Sequence, residues 1–202
     1  MSERTALVLG GTGMLKGCAD ELLAQGWQVV LPSRRPDGTL GSAAKAALRG
    51  RSHVPHVSRA ETGQQGGQRV AVAADWSLPR ELADRVREVM ERPADLLVAW
   101  VHASYRDDVL QAVAPLLAPH APVVEVHDSA AIRAVRGVPD PALEGHPTQQ
   151  VVLGFVRHGG KTHWLSHEEA SVGVLEAVHR ALDGRPPSVH QVGEVDTWVM
   201  RR

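Results

Sequence analysis

Cysteine, tyrosine and phenylalanine each occur once in this chain. The lone Cys18 excludes an intrachain disulfide and suits a reducing cytosol. Aromatic residues make up only 3%, and basic side chains alternate with acidic ones to give a net charge of −1. That balance creates no field to recruit nucleic acid or an acidic membrane, so neither partner is expected. No apolar run reaches the roughly 18 residues of a membrane span, and the opening residues MSERT lack the apolar core of a secretion signal. A cytoplasmic protein is therefore expected. Histidine is plentiful at 11 residues, but scattered. The pairs His53/His56 and His163/His167 have helix-like spacing with no cysteine or carboxylate set to complete a metal site, so no metal is expected.

What is present is an ordinary globular composition, 43% hydrophobic and 22% charged over 202 residues, enough for one domain spanning 1–202. Its most informative stretch runs from Thr5 to Arg35. Leu7, Val8 and Leu9 lie in an apolar run suited to a parallel strand buried on both faces. Gly10, Gly11 and Gly13 follow immediately, where glycine permits positive φ and close approach of a phosphate to the backbone. A helix is predicted from about Met14, with its unpaired N–H groups aimed at the turn, which makes an anion site. Leu15, Cys18, Leu22 and Leu23 repeat at helical spacing and should face the sheet, making Cys18 a core residue. Gly17 should let helix and strand approach, and Gly26 should end the helix. Val29 to Leu31 form the next strand. The spacing G-G-x-G-x-x-x-G is looser than the strict dinucleotide fingerprint, but its setting between two strands and a periodic helix is that of a βαβ nucleotide-binding unit. An ordinary tight turn that binds no nucleotide is the alternative.

After the second strand stand Ser33, Arg34 and Arg35, where an NAD site would place an acidic residue for the ribose hydroxyl. A hydroxyl and two guanidinium forks suit a phosphate instead, which points to NADP(H) over NAD(H). Asp37 is close enough in sequence to neutralise part of that charge, so a solvated basic pair remains the other reading.

Strand and helix patterns alternate through the rest of the chain. A short helix is predicted over Leu40–Arg49 and a mobile, glycine-rich loop over 50–68. Strands are predicted at Val70–Ala73, Leu96–Val101, Val123–Val126 and Val151–Val156, with further strands at Lys161–Leu165 and Val189–Val192. Pro79 should open one helix as an N1 proline. A second runs from about Tyr105 through Leu117. A third is capped by Ser166 and Glu169 and runs to Leu182. Residues 128–148 read as irregular. Serial β-α units imply a Rossmann-like, doubly wound parallel sheet in three α/β/α layers. Its ligand should lie beyond the carboxyl ends of the strands, where strand order reverses.

This organisation resembles the short-chain dehydrogenase/reductase superfamily, in its divergent short bacterial members. The residues that carry the likeness are LVLGGTGMLKG at 7–17, SRR at 33–35, Asp75 after the Val70–Ala73 strand, and the two strands that follow. VVLGFVRHGGKTHWLSHEEASVGVLEAV also looks like the end of a subgroup with an LGF strand and a WLxxEE helix start. The resemblance implies that Gly10, Gly11, Thr12, Gly13, Met14 and Leu15 line a pyrophosphate, and that Ser33, Arg34 and Arg35 take the adenosine phosphate. It places Asp75 and Trp76 near the adenine, and Val101, His102 and Ala103 beneath the nicotinamide ribose. It also implies a homodimer or homotetramer. The family's Tyr-x-x-x-Lys relay is missing: the single tyrosine, Tyr105, follows the wrong strand, and Val109 stands where its lysine would be. By the same resemblance Ser129 stands where the family's catalytic serine would be, with a turn or capping serine as the alternative.

Hydride chemistry belongs to the cofactor, so the protein must position a small carbonyl or imine and manage one proton. His102 and His127 are the candidate acid–base groups. Ser129 is a candidate for holding a carbonyl oxygen, and Tyr105 or Lys161 for donating a proton. Each histidine has the alternative of a plain hydrogen-bonding role at a strand end. Trp100 and Trp164 read as core or pocket wall. Two other functions stay open: a non-catalytic NADP(H)-binding redox sensor, and an isomerase or dehydratase on the same fold.

Overall fold

The structure is a computed structural model and describes residues 4–34, 58–59, 67–129, 132, 137–158 and 161–195. Five apolar runs become the centre of one sheet. They are β1 (Thr5–Leu9), β2 (Gln28–Ser33), β4 (Arg69–Ala73), β5 (Leu96–Trp100) and β6 (Val123–Asp128). With β3 (Ser58–Arg59), β7 (Thr148–Leu153) and β10 (Ser188–Val192) they make an eight-stranded sheet in the order β10-β7-β6-β5-β1-β2-β4-β3. All neighbours run parallel except β3, which lies antiparallel on β4.

The period-two alternation of side chains divides the core. Leu7, Leu9, Val70, Val72, Leu97 and Val123 face α2 (Pro79–Val89) and α3 (Arg106–Val113). Ala6, Val8, Val29, Leu31, Val98, Val124 and Val126 face α1 (Lys16–Ala24) and α4 (His167–Leu182). This is the doubly wound three-layer α/β/α arrangement that the sequence implies. Order reverses between β1 and β5: the chain winds outward from β1 through β2 in one direction and from β5 through β6 in the other.

Local rules set most boundaries. Pro79 opens α2. Ser166 and Glu169 form a reciprocal capping box at the start of α4. Gly26 takes φ +83 behind α1 while Trp27 N–H bonds back to Leu22 O. Cys18 is fully buried in the core, and burial pushes its thiol up to about 12. A thiol held protonated in this way is not a nucleophile.

Other boundaries differ from expectation. The Val151–Val156 run is two strands: β7 ends at Leu153, and Phe155–His158 (β8) pairs antiparallel with Lys161–Trp164 (β9). Gly154 marks the break because a Cβ there would lie 2.0 Å from Glu194 O. The Tyr105–Leu117 helix ends at Val113 and continues as a 3₁₀ turn over Ala114–Leu116, because Pro115 supplies no N–H to an α-helix. The stretch read as a loop over 50–68 contains β3, and β6 extends to Asp128. Gly17 spaces two helices, not helix and strand: a Cβ there would meet Ser171 Cβ of α4 at 2.9 Å. Trp164 is neither core nor pocket wall, being 63% exposed on the β8–β9 ribbon. The predicted Leu40–Arg49 helix and the His53/His56 pair lie outside the described residues.

Candidate nucleotide site and adjoining cavity

The loop after β1 does not enter the helix directly. Gly13 and Leu15 both donate their N–H groups to Gly10 O, at 3.1 and 3.2 Å, so residues 10–15 close into a tight turn before α1 begins at Lys16. Gly10 needs to be glycine twice over: its φ is +91, and a Cβ would sit 3.0 Å from Trp100 O. Gly11 and Leu15 are buried behind the turn, with Gly11 against Leu31 and Val8. The turn's front is Thr12, Gly13 and Met14. A Cβ on Gly13 would meet no atom nearer than 4.0 Å, so this face is open. Thr12 Oγ1 bonds Ser33 Oγ at 3.1 Å, tying the turn to the end of β2.

Together these residues form a groove at the reversal point. It is lined by Gly10, Thr12, Gly13, Met14, Pro32, Ser33, Arg34, Trp76 and Trp100 and encloses about 700 Å³, which is in the range of cofactor clefts. Trp76 and Trp100 meet edge to face with centroids 6.2 Å apart, so Trp100 is the pocket wall its position suggested. Arg34 also borders a smaller cavity of about 240 Å³ with Asp75, Leu78 and Arg85. Asp75 Oδ1 accepts from the N–H and Oγ of Ser77, both at 2.9 Å. Those bonds, with Arg34 nearby, hold the carboxyl below its ordinary range. Open backbone at Gly13, a hydroxyl pair and an exposed guanidinium fit a phosphate-bearing dinucleotide in shape and charge. Arg35 lies outside the described residues.

The candidate catalytic residues separate into three places. His102 and Tyr105 share the exposed end of β5, with ring centroids 6.3 Å apart. His102 Nδ1 is taken by Ser104 Oγ at 2.7 Å. His127 lines a second cavity of about 140 Å³ with Val101, Ala103, Arg106, Asp107, Asp128, Ile132 and Pro139. Ser129 follows β6 directly and is buried, but neither it nor His102 is part of that lining. Lys161 lies in β9, and its side chain is outside the described residues.

Sequence reading missed the network beneath His127. Glu125 is 1% exposed in the middle of β6, and its Oε2 accepts from both Nε and Nη2 of Arg106. Its Oε1 accepts from Ala142 N at 2.8 Å, and Arg106 Nη2 also donates to Asp140 O at 2.8 Å. Gln150 of β7 donates to Pro139 O at 2.7 Å. The signal was available: an acid inside the apolar run VVEV cannot be buried without a cationic partner. Burial and the Arg106 charge push His127 down to about 4, partly opposed by Asp128. Its imidazole is therefore neutral near pH 7. Among the described residues, no group of three or more histidine, cysteine or acidic side chains is disposed to hold a metal, and no helix is long and apolar enough to cross a membrane.

No family model matches this chain, and no curated protein does. Solved structures match over nearly the whole length. A short-chain type dehydrogenase/reductase from Mycobacterium ulcerans is similar at 16% identity and TM-score 0.61, with 96% of this chain and 90% of that one covered. YwfH, an NADPH dependent reductase involved in bacilysin biosynthesis, is similar at 13% identity and TM-score 0.63, covering 96% and 100%. An NADH-dependent reductase complexed with NAD is similar at 15% identity and TM-score 0.55, covering 95% of each chain.

Proposed function

The chain has the fold of the short-chain dehydrogenase/reductase structures, and we propose that it is an oxidoreductase of that type, binding NADP(H) and acting on a small carbonyl or imine. The observation that carries this reading is the groove between β1 and β5. Its floor is a glycine turn with an open face at Gly13, and its rim is Ser33 and Arg34. Thr12, Gly13 and Met14 would hold the pyrophosphate, with Ser33 and Arg34 on the adenosine phosphate. Trp76 and Trp100 would wall the cleft. When bound, the nicotinamide supplies the hydride; the protein's part is to exclude water and fix the substrate oxygen. One of the similar structures is an NADPH dependent reductase and another an NADH-dependent reductase, so the phosphate preference rests on Arg34 and Ser33.

Fluorescence titration of the purified protein with NADPH and with NADH tests it. Tighter binding of NADPH is expected, with Arg34→Ala weakening NADPH by about tenfold or more, as for loss of a charged hydrogen bond worth roughly 1.5–3 kcal/mol, and leaving NADH unchanged. Equal affinities in both proteins would remove the phosphate assignment; no binding of either coenzyme would remove the redox function.

A further inference from the structure

The cavity beside His127 is not part of the dinucleotide groove, and its lining shows how one polar atom is presented to it. Gln150 decides the matter. Its amide nitrogen is identified by its bond to Pro139 O at 2.7 Å, because a carbonyl can only accept. The same nitrogen lies 3.5 Å from His127 Nε2. That nitrogen can only donate, so a bond between it and the ring requires the lone pair on Nε2. Glu125 Oε2 stands 3.8 Å from Nε2, too far for a hydrogen bond, and already accepts from Arg106 Nε and Nη2. With Nε2 unprotonated and the ring neutral, the hydrogen sits on Nδ1. Among the described residues nothing bonds Nδ1. Among the described residues the only sealed side-chain nitrogen or oxygen without a partner is Trp27 Nε1, so Nδ1 is not sealed, and His127, though only 7% exposed, lines the cavity.

We propose that His127 presents a neutral imidazole, protonated on Nδ1, to the oxygen of a small uncharged carbonyl compound, and that Gln150 is the positioning residue that fixes this tautomer from behind. The substrate class rests on the oxidoreductase reading; the tautomer does not. A cavity of about 140 Å³ takes only a compact group. A neutral donor held in a dry wall polarises a carbonyl without first losing a proton to solvent. Among the described residues, the charged groups around the ring are Glu125 and Asp128 on its own strand and Arg106 and Asp107 on α3. β7 contributes the uncharged Gln150. The buried Arg106 cation opposes a second positive charge on the ring.

The test is ¹⁵N NMR of the histidine rings in the protein without coenzyme, with His127 assigned by loss of its signals in His127→Gln. At pH 7 the Nδ1–H form is expected, with no protonation until the pH approaches 4. Gln150→Leu should shift the ring toward Nε2–H, and acetone should move the wild-type Nδ1 resonance. An Nε2–H or charged ring in the wild type at pH 7 would overturn the tautomer, whatever the variants do. An Nδ1 resonance indifferent to saturating acetone would overturn the carbonyl role. NADPH titration, read separately by fluorescence, distinguishes either failure from failure of the coenzyme reading.

Discussion

His127 should make the folded protein acid-labile, by an amount the structure sets. In an unfolded chain its imidazole titrates at 6.5, whereas in the fold burial and Arg106 push it down to about 4. A depressed histidine binds its proton more readily when unfolded, so stability is intact above about pH 6.5 and falls as pH drops toward 4. Each unit of difference is about 1.36 kcal/mol. The full loss is therefore roughly 3 kcal/mol below pH 4, and about 2 kcal/mol is already lost at pH 5. His127→Gln keeps a polar side chain of similar reach and cannot titrate in this range. Urea unfolding of both proteins at pH 7 and pH 5, at constant m, isolates the effect, since other groups titrate in both. The wild type should lose about 2 kcal/mol more than the variant between the two conditions. Equal losses would refute the buried, neutral ring.

Glu125→Ala should destabilise by about 3–5 kcal/mol, because it strands the Arg106 cation with one carbonyl and the exposed Asp107; combining Glu125→Leu with Arg106→Met should recover most of that in urea unfolding. Gly11→Ala should cost about 1–3 kcal/mol, since its Cβ would lie 2.5 Å from Leu31 Cδ2 and 2.9 Å from Val8 Cγ1. Gly13→Ala, with nothing nearer than 4.0 Å, should leave the thermal midpoint almost unchanged while weakening NADPH in the fluorescence titration.

The sheet was legible because its strands are buried on both faces and therefore read as unbroken apolar runs, such as TALVL and LLVAW. Helix ends were legible where a local device sets them, as at Pro79 and at Ser166 with Glu169. The break at Gly154 was not, because its cause is the carbonyl of Glu194, brought near only by the fold. The glycine turn could be placed from sequence. Which of its members face the groove could not: Gly11 and Leu15 turn inward because residues 10–15 fold back on Gly10 O before the helix starts. The site beyond the groove was half visible. His127 stood out by its chemistry, whereas Gln150, Arg106 and Glu125 come from three elements whose meeting depends on strand order and on the 137–146 segment. Buried polar residues in VVEV and TQQVVL were nevertheless a warning that something buried needed partners.

The contact between Gly17 and Ser171 reaches further than packing. Ser171 Oγ donates to Met14 O at 3.2 Å, so a hydroxyl from α4 grips a carbonyl of the first loop, across 157 positions of the polypeptide. The peptide plane at Met14 is thereby oriented by a segment synthesised long after it. A nascent chain that has emerged only through β5 possesses the glycines but not the hydroxyl that holds this carbonyl. Coenzyme that prefers the gripped shape must in turn strengthen the seating of α4, since coupling between two equilibria runs both ways.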